Sequence, residues 1–140
     1  TMGKIADILQ ARGQLDEALR IRQDEQLPVY ERLGDVRSKA ITMGKIADIL
    51  QARGQLDEAL RIRQDEQLPV YERLGDVRSK AITMGKIADI LQARGQLDEA
   101  LVLWKTECLP VFDRMRLSAE RTIALKRIAT LEALIVRKSA

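Results

Sequence analysis

The chain of 140 residues contains a perfect internal repeat. Residues 1–41 are identical to residues 42–82, and residues 83–101 continue the same sequence before it diverges. A fixed period of about 20 to 50 residues is typical of repeat proteins, whose units bury their apolar faces against neighbouring units. A recent duplication and a deliberate repetition would both leave this identity, and the sequence does not distinguish them. The fold is therefore predicted to be an array of one small unit.

Within one repeat the apolar residues recur at helical spacing. The first predicted helix covers 35–53, and its apolar face comprises Ala40, Ile46, Ala47 and Leu50. Asp35 is a suitable N-cap for this helix, and Gly54 ends it before a second helix at 56–74. Two helices joined by so short a turn must run antiparallel, so the unit is predicted to be a helical hairpin.

A proline falls late in the second helix of every repeat, as Pro28, Pro69 and Pro110. Proline donates no hydrogen bond, and its ring clashes with the carbonyl four residues earlier. We therefore expect a kink or a break near Gln67, repeated in each unit.

These hairpins predict an all-α fold, an α-solenoid of stacked antiparallel helical hairpins. The array is expected to form a single domain over 1–140. Its parts are a first repeat at 1–34 with a truncated first helix, a second at 35–75, a third at 76–116, and a C-terminal capping helix at 117–140.

Small residues occupy the positions where the two helices of a hairpin approach closely, namely Ala47, Gly54 and Ala59. The same residues recur as Ala6, Gly13 and Ala18, and as Ala88, Gly95 and Ala100. This pattern resembles the tetratricopeptide repeat (TPR), with a period of 41 residues instead of 34. It is similar to the long-period arrays of bacterial regulatory proteins and, more distantly, to the kinesin light chain type. The resemblance implies a right-handed superhelix whose first helices line a concave, partner-binding surface.

The resemblance also implies which side chains would line that surface. They are Gly44, Asp48 and Gln51, with Arg37 and Lys45 at the edge, and the equivalents Asp7, Gln10, Asp89 and Gln92. It implies a non-enzymatic protein-protein interaction scaffold that binds a peptide or protein partner there. The row of aspartates favours a basic or extended peptide, although the same residues could form an ordinary solvated face.

Composition argues against an enzyme, because the chain has no His and only one Cys. His is the commonest general base and metal ligand, and one Cys allows no intramolecular disulfide. Neighbouring carboxylates such as Asp57 and Glu58 diverge by about 100° on a helix and cannot act as an acid and base pair. No catalytic residue, metal site or cofactor is therefore predicted. With no apolar run of membrane length and no signal segment, a cytoplasmic location without membrane contact is expected.

Arg22 and Arg63 fall on the apolar side of the second helices. Because an unpaired buried charge is costly, we expect each to bridge to an acidic group of an adjoining helix, with Glu25 and Glu66 as first candidates. In the third repeat Trp104 and Cys108 replace Arg63 and Gln67. We expect these two to be core residues, since no His is present to activate the cysteine.

The two ends of the chain suggest alternatives to a scaffold. The truncated first helix would leave a stacking face without a neighbour, which predicts homo-association by head-to-tail stacking or swapping, as in a spacer module or a self-associating array. Residues 114–140 hold seven basic and two acidic side chains. Nucleic acid contact through this helix is disfavoured, because the basic residues lack interleaved aromatics that could stack on bases. The partner's identity, the parent protein and the oligomeric state cannot be read from the sequence.

Overall fold

The structure, a computed structural model, describes residues 1–139, which form seven helices joined by short turns and no strand. The helices are α1 at Met2–Ala11, α2 at 15–33, α3 at Val36–Ala52, α4 at 56–74, α5 at Val77–Ala93, α6 at 97–114 and α7 at Ser118–Ser139. They form the hairpins α1–α2, α3–α4 and α5–α6, followed by α7. The all-α fold built from helical hairpins is therefore confirmed. No helix within 1–139 combines the length and apolar character that crossing a bilayer requires.

The turn between hairpins is tight because one helix ends and the next begins within two residues. Gly34 adopts a left-handed conformation with φ of 66°, and the following Asp35 N–H donates to Tyr30 O at 3.0 Å. The carboxylate of Asp35 then accepts the N–H of Ser38 at 3.0 Å and caps α3. In the third hairpin Arg116 takes the position of this glycine with φ of 56°, a conformation that costs a residue with a side chain about 1 kcal/mol.

The proline-containing helices are widened and not broken. A π-helical segment occupies Ile21–Gln26, Ile62–Gln67 and Trp104–Cys108, just before each proline. In α4 the N–H of Leu68 donates to Arg63 O, five residues earlier instead of four. Of the two expected outcomes near Gln67, the break is wrong, because the chain accommodates Pro69 by a wide turn and continues as helix to Leu74. The kink stays a prediction.

Residues 1–70 form one compact unit. In it α1 packs on α2, while α3 packs on both α2 and the first part of α4. Alanines lie where the helices meet: Ala6, Ala18, Ala40, Ala47 and Ala59 are all buried. Small side chains at these positions allow close helix contacts, and Ile46 and Ile49 fill the remaining core.

The residues from 71 onward form a second compact unit. Here α5 packs on α6, and α7 packs on both of them. The core of this unit is richer in large side chains: Ile87, Ile90, Trp104, Phe112, Ile128 and Leu131 are buried. Helix α7 therefore covers the last hairpin along one side, and its assignment as a capping helix stays a prediction.

Gly44 offers a direct test of helix packing in the first unit. A Cβ atom there would collide with Gln67 Nε2 and would lie 3.0 Å from Arg63 Nη1. Gln67 cannot move away freely, since it donates to Ala40 O and accepts from Arg63. We expect Gly44→Ala to lower the free energy of unfolding by about 1–2 kcal/mol in urea titrations, although alanine is the better helix former.

The matched control is Gly3→Ala, at the same register of α1. Its Cβ would meet only Gln26 Nε2, at 3.0 Å, and the position is half-buried. We expect this variant to be no less stable than the parent. A Gly44→Ala protein as stable as the parent would contradict the packing described above.

Candidate functional site

Three pairs of polar residues repeat on the first helices of the hairpins. Asp7 and Gln10 lie on α1, Asp48 and Gln51 on α3, and Asp89 and Gln92 on α5. Because each pair is spaced by three residues, its two side chains share one face of the helix. We refer to these residues as the Asp–Gln face of their unit, with two pairs in the first unit and one in the second. The aspartates are partly exposed, with side-chain exposures of 51%, 38% and 26% in chain order.

In the first hairpin the aspartate is bonded to an arginine that lies in the core. Arg22 of α2 is 1% exposed, and its Nη2 donates to Asp7 Oδ1 at 2.5 Å. The same nitrogen reaches Gln10 Oε1 at 3.3 Å, and Nη1 donates to Gln26 Oε1 at 2.9 Å. The guanidinium is thus held by one charged and two neutral acceptors, which offset the cost of burying it.

The second hairpin repeats this arrangement. Arg63 is buried and forms an ion pair with Asp48, and its Nη1 donates to Gln67 Oε1 at 2.9 Å. Gln67 in turn donates from Nε2 to Ala40 O at 3.0 Å. The buried polar cluster therefore connects the two helices of the hairpin through side chains and backbone.

The structure confirms that these arginines bridge to an acid on an adjoining helix but shows the named acids to be wrong. Glu25 and Glu66 lie 3.9 Å and 3.6 Å from the exposed Arg20 and Arg61 instead. A residue three positions later on the same helix points to the outer surface, whereas the acid that reaches the core comes from the facing helix.

A second cation reaches Asp7 from the next hairpin. Lys45 Nζ of α3 donates to Asp7 Oδ1 at 2.9 Å. The hydrogen bonds from Lys45 and then from Arg22 hold the pKa of Asp7 below its ordinary value, because both favour the ionised carboxylate. Lys45 was expected at the edge of a binding surface, and its observed role is to connect successive hairpins of the first unit.

In the third hairpin, uncharged side chains fill the space between the two helices that Arg63 and Gln67 fill in the second. Trp104 and Cys108 are both buried, and Trp104 lies against Gly85, whose Cβ would be 2.8 Å from the ring. Cys108 Sγ approaches Ala81 O at 3.5 Å, as Gln67 approaches Ala40 O. Burial raises the pKa of the Cys108 thiol to about 12, so it is not a nucleophile at neutral pH. Both residues are core residues, as the sequence predicted.

With tryptophan in place of arginine, Asp89 obtains its cation from elsewhere. Arg127 of α7 donates from Nε to Asp89 Oδ1 at 2.8 Å. Arg127 is 38 residues after Asp89, the same separation that joins Lys45 to Asp7. Helix α7 thus supplies this cation at the same sequence separation at which α3 supplies Lys45 to Asp7.

Of the remaining predicted site residues, Gly44 is buried and Arg37 is exposed. Gly44 is buried against α4, so it cannot contribute to an open binding wall, and its inclusion in one was wrong. Arg37 is exposed in the first turn of α3. Sequence reasoning placed Gly44 by analogy with its neighbours and missed that the side chains at 63 and 67 occupy the space above it.

A cavity of about 160 Å³ lies between α5, α6 and α7 in the second unit. Trp104 and Phe112 contribute apolar surface to it, and Lys86, Asp89 and Arg127 contribute charged groups. Sequence reasoning did not find this cavity, because it depends on how the tryptophan ring lies over a glycine. Within 1–139 no three His, Cys, Asp or Glu side chains gather in a way that could hold a metal ion.

No protein-family model matches the sequence, and no curated protein matches it. A solved structure that is similar to the chain is described as a kinesin light chain from Podosopora anserina with nearly identical TPR-like repeats. The TM-score is 0.62 at 19% sequence identity, over 96% of this chain and 74% of the other. The chain therefore has the TPR-like, all-α solenoid fold. At this identity the likeness establishes the fold alone, and the assignment to a long-period bacterial type stays a prediction.

The buried arginines predict an asymmetry between two kinds of substitution. Asp48→Ala removes the carboxylate that pairs with the buried Arg63, and we expect it to reduce the free energy of unfolding by about 2–3 kcal/mol. The double substitution Arg63→Trp with Gln67→Cys imports the residues of the third hairpin and removes the buried charge. We expect that variant to stay within about 1 kcal/mol of the parent in urea titrations.

Combining the substitutions separates the ion pair from general damage to the helix. In the background of the double substitution no buried cation depends on Asp48, so Asp48→Ala should then cost less than about 0.5 kcal/mol. Equal costs in the two backgrounds would show that the ion pair does not stabilise the hairpin.

Proposed function

We propose that the chain is a non-enzymatic protein-protein interaction scaffold that binds an extended peptide segment of a partner on its Asp–Gln face. One observation carries this proposal: each aspartate bonds its cation through Oδ1, and its carboxylate nevertheless stays partly exposed. The neighbouring glutamines are half-buried. Within the first unit, a partly exposed acceptor beside an amide is repeated on α1 and α3, and this pattern suits the alternating donors and acceptors of an extended backbone.

The ion pairs weaken the case for a basic peptide partner, which the row of aspartates favoured in the sequence. Every aspartate of the face is matched by at least one cation, from Arg22, Arg63 or Arg127. The face is therefore close to neutral and does not form an acidic stripe. Recognition would rest on hydrogen bonds and shape, and a strongly basic peptide has no special advantage.

Two alternatives receive less support from the contacts. An enzymatic role would need an available nucleophile or base, and the one thiol is buried with a raised pKa. Contact of nucleic acid with the basic α7 would use cations such as Arg121 and Arg127, which already pair with Asp113 and Asp89. These pairs favour the interpretation that α7 uses its charge to dock on α5 and α6.

The scaffold proposal is tested by selecting peptides from a random library on the immobilised full chain. We expect Gln51→Lys to weaken binding of the selected peptides at least tenfold, because it removes an amide from the Asp–Gln face and adds a long cation there. Affinities would be measured by fluorescence anisotropy with labelled peptides.

The matched control is Gln64→Lys, the same change on an exposed position of α4 in the same repeat. It should leave the affinities unchanged. Selected peptides that lose affinity equally with both variants, or a library that yields no binder, would remove the Asp–Gln face as a binding surface.

A second candidate function, self-association as a structural array, is favoured by one specific observation. Ile5 and Ile8 of α1 are 51% and 55% exposed, whereas the corresponding residues of α3, Ile46 and Ile49, are 1% and 0% exposed. In the first unit α3 is covered on one side by α2 and on the other by α4. Because the equivalent face of α3 is covered by other helices of this chain, a helix from a second copy of the protein could cover the exposed apolar face of α1.

For this candidate we expect Ile8→Lys to abolish any growth of the sedimentation coefficient with protein concentration, because a charge on the apolar face opposes its burial in a second copy. Val102→Lys, at a residue of α6 that is also 55% exposed, is the control and should behave as the parent does. A parent protein that sediments as a monomer at every concentration would exclude self-association.

A further inference from the structure

The cavity of the second unit lies beside Asp89, the aspartate of that unit's Asp–Gln face. Its apolar surface includes Trp104, Phe112 and Ile123, and the indole ring packs so closely on Gly85 that a Cβ atom there would lie 2.8 Å from it. Ile123 is 48% exposed, although it belongs to a helix that packs on the hairpin. A partly open apolar hollow therefore adjoins a face on which polar groups are already arranged for hydrogen bonding.

The size of this hollow restricts what it could hold. Its volume is about 160 Å³. An apolar cavity of about 150 Å³ holds one benzene molecule, whereas sites for cofactors and other small molecules usually measure about 300–1,000 Å³. The hollow is therefore large enough for one phenyl ring or one branched alkyl group and too small for a nucleotide or a flavin.

The charges around the hollow favour an acidic neighbour for that group. Asp89 is neutralised by Arg127 at 2.8 Å, and Glu120 by Arg78 at 3.1 Å. Lys86 also lines the hollow, is exposed, and makes no ion pair within residues 1–139. The rim thus carries one uncompensated positive charge, which would attract a carboxylate.

The hollow is a property of the third hairpin. At the position of Trp104 the first hairpin has Arg22, whose guanidinium fills the space between the helices and bonds Asp7. In the third hairpin the cation comes from α7 instead, and the flat indole ring forms the floor. Tryptophan is also among the side chains that most often dominate the energy of protein interfaces.

We propose that this hollow is the anchor pocket of the scaffold, and that it takes a phenylalanine or leucine side chain of the partner peptide with an acidic residue next to it. The proposal rests on the scaffold function above and names the partner's chemistry. The apolar side chain packs on Trp104 and Phe112, and the adjacent carboxylate pairs with Lys86. The neighbouring peptide backbone lies against Asp89 and Gln92 of the same unit.

The test uses the full chain and its single tryptophan, whose fluorescence reports on the pocket directly. Three capped peptides are titrated, each with Gly and Ser flanks around the centre Glu-Phe-Glu, Glu-Ala-Glu or Lys-Phe-Lys. We expect Glu-Phe-Glu to change the emission of Trp104 saturably. Glu-Ala-Glu should bind at least tenfold more weakly because it lacks the ring, and Lys-Phe-Lys several-fold more weakly because it is repelled by Lys86.

Charge variants separate the pocket from general electrostatics. Lys86→Glu should weaken Glu-Phe-Glu and strengthen Lys-Phe-Lys, while Lys4→Glu, the same change at the same register of α1, should alter neither. Equal binding of the phenylalanine and alanine peptides, or equal effects of the two lysine variants, would overturn the proposal. If library-selected peptides still depend on Gln51 while Glu-Phe-Glu leaves Trp104 unaffected, the pocket is wrong and the scaffold function stands.

Discussion

In each of the first two hairpins, a guanidinium buried between the two helices restricts which side chains can surround it. Burial of the Arg22 guanidinium would be costly without the carboxylate of Asp7 on the facing helix and the amides of Gln10 and Gln26. Its requirement for acceptors accounts for Asp7 and Asp48, which lie at the same register of the first helices in the first two hairpins. It also explains the glycine at position 44, since the arginine and glutamine side chains of the facing helix need the volume that a Cβ atom would occupy.

The third hairpin shows that the same backbone accepts a different solution. Trp104 and Cys108 remove the buried charge and keep the packing against Gly85, while Asp89 retains a cation because α7 supplies Arg127. The cation that pairs with the aspartate comes from the second helix of the same hairpin in the first two hairpins, and from α7 in the third. The cavity beside Trp104 lies in the second unit. At the equivalent position of the first hairpin, the Arg22 side chain extends to Asp7.

These contacts alter how the repeated aspartates should be interpreted. In the sequence they form an acidic row that suits a basic partner, but each of them balances an arginine. What remains for a partner is the exposed part of each carboxylate and the neighbouring amide, hydrogen-bonding groups with little net charge. For the proposed scaffold, affinity would come from the apolar hollow near Lys86, where the second unit offers apolar surface and an uncompensated charge together.

The sequence by itself determined the helical hairpins, their turns and the core role of Trp104 and Cys108. Helical periodicity, the Gly34 stop and the Asp35 cap act between residues that are close in the chain, so the spacing along the sequence reveals them. The sequence also indicated that Arg22 and Arg63 pair with acidic side chains, because a buried charge without a partner is costly. Only the tertiary structure decided which acids these are, that Gly44 is covered, and that Pro69 widens its helix and does not break it. The first two outcomes depend on side chains from a facing helix, whose rotation and offset are set by packing and cannot be read from the spacing along the chain. The third is a choice between two backbone arrangements, both compatible with a proline at that position.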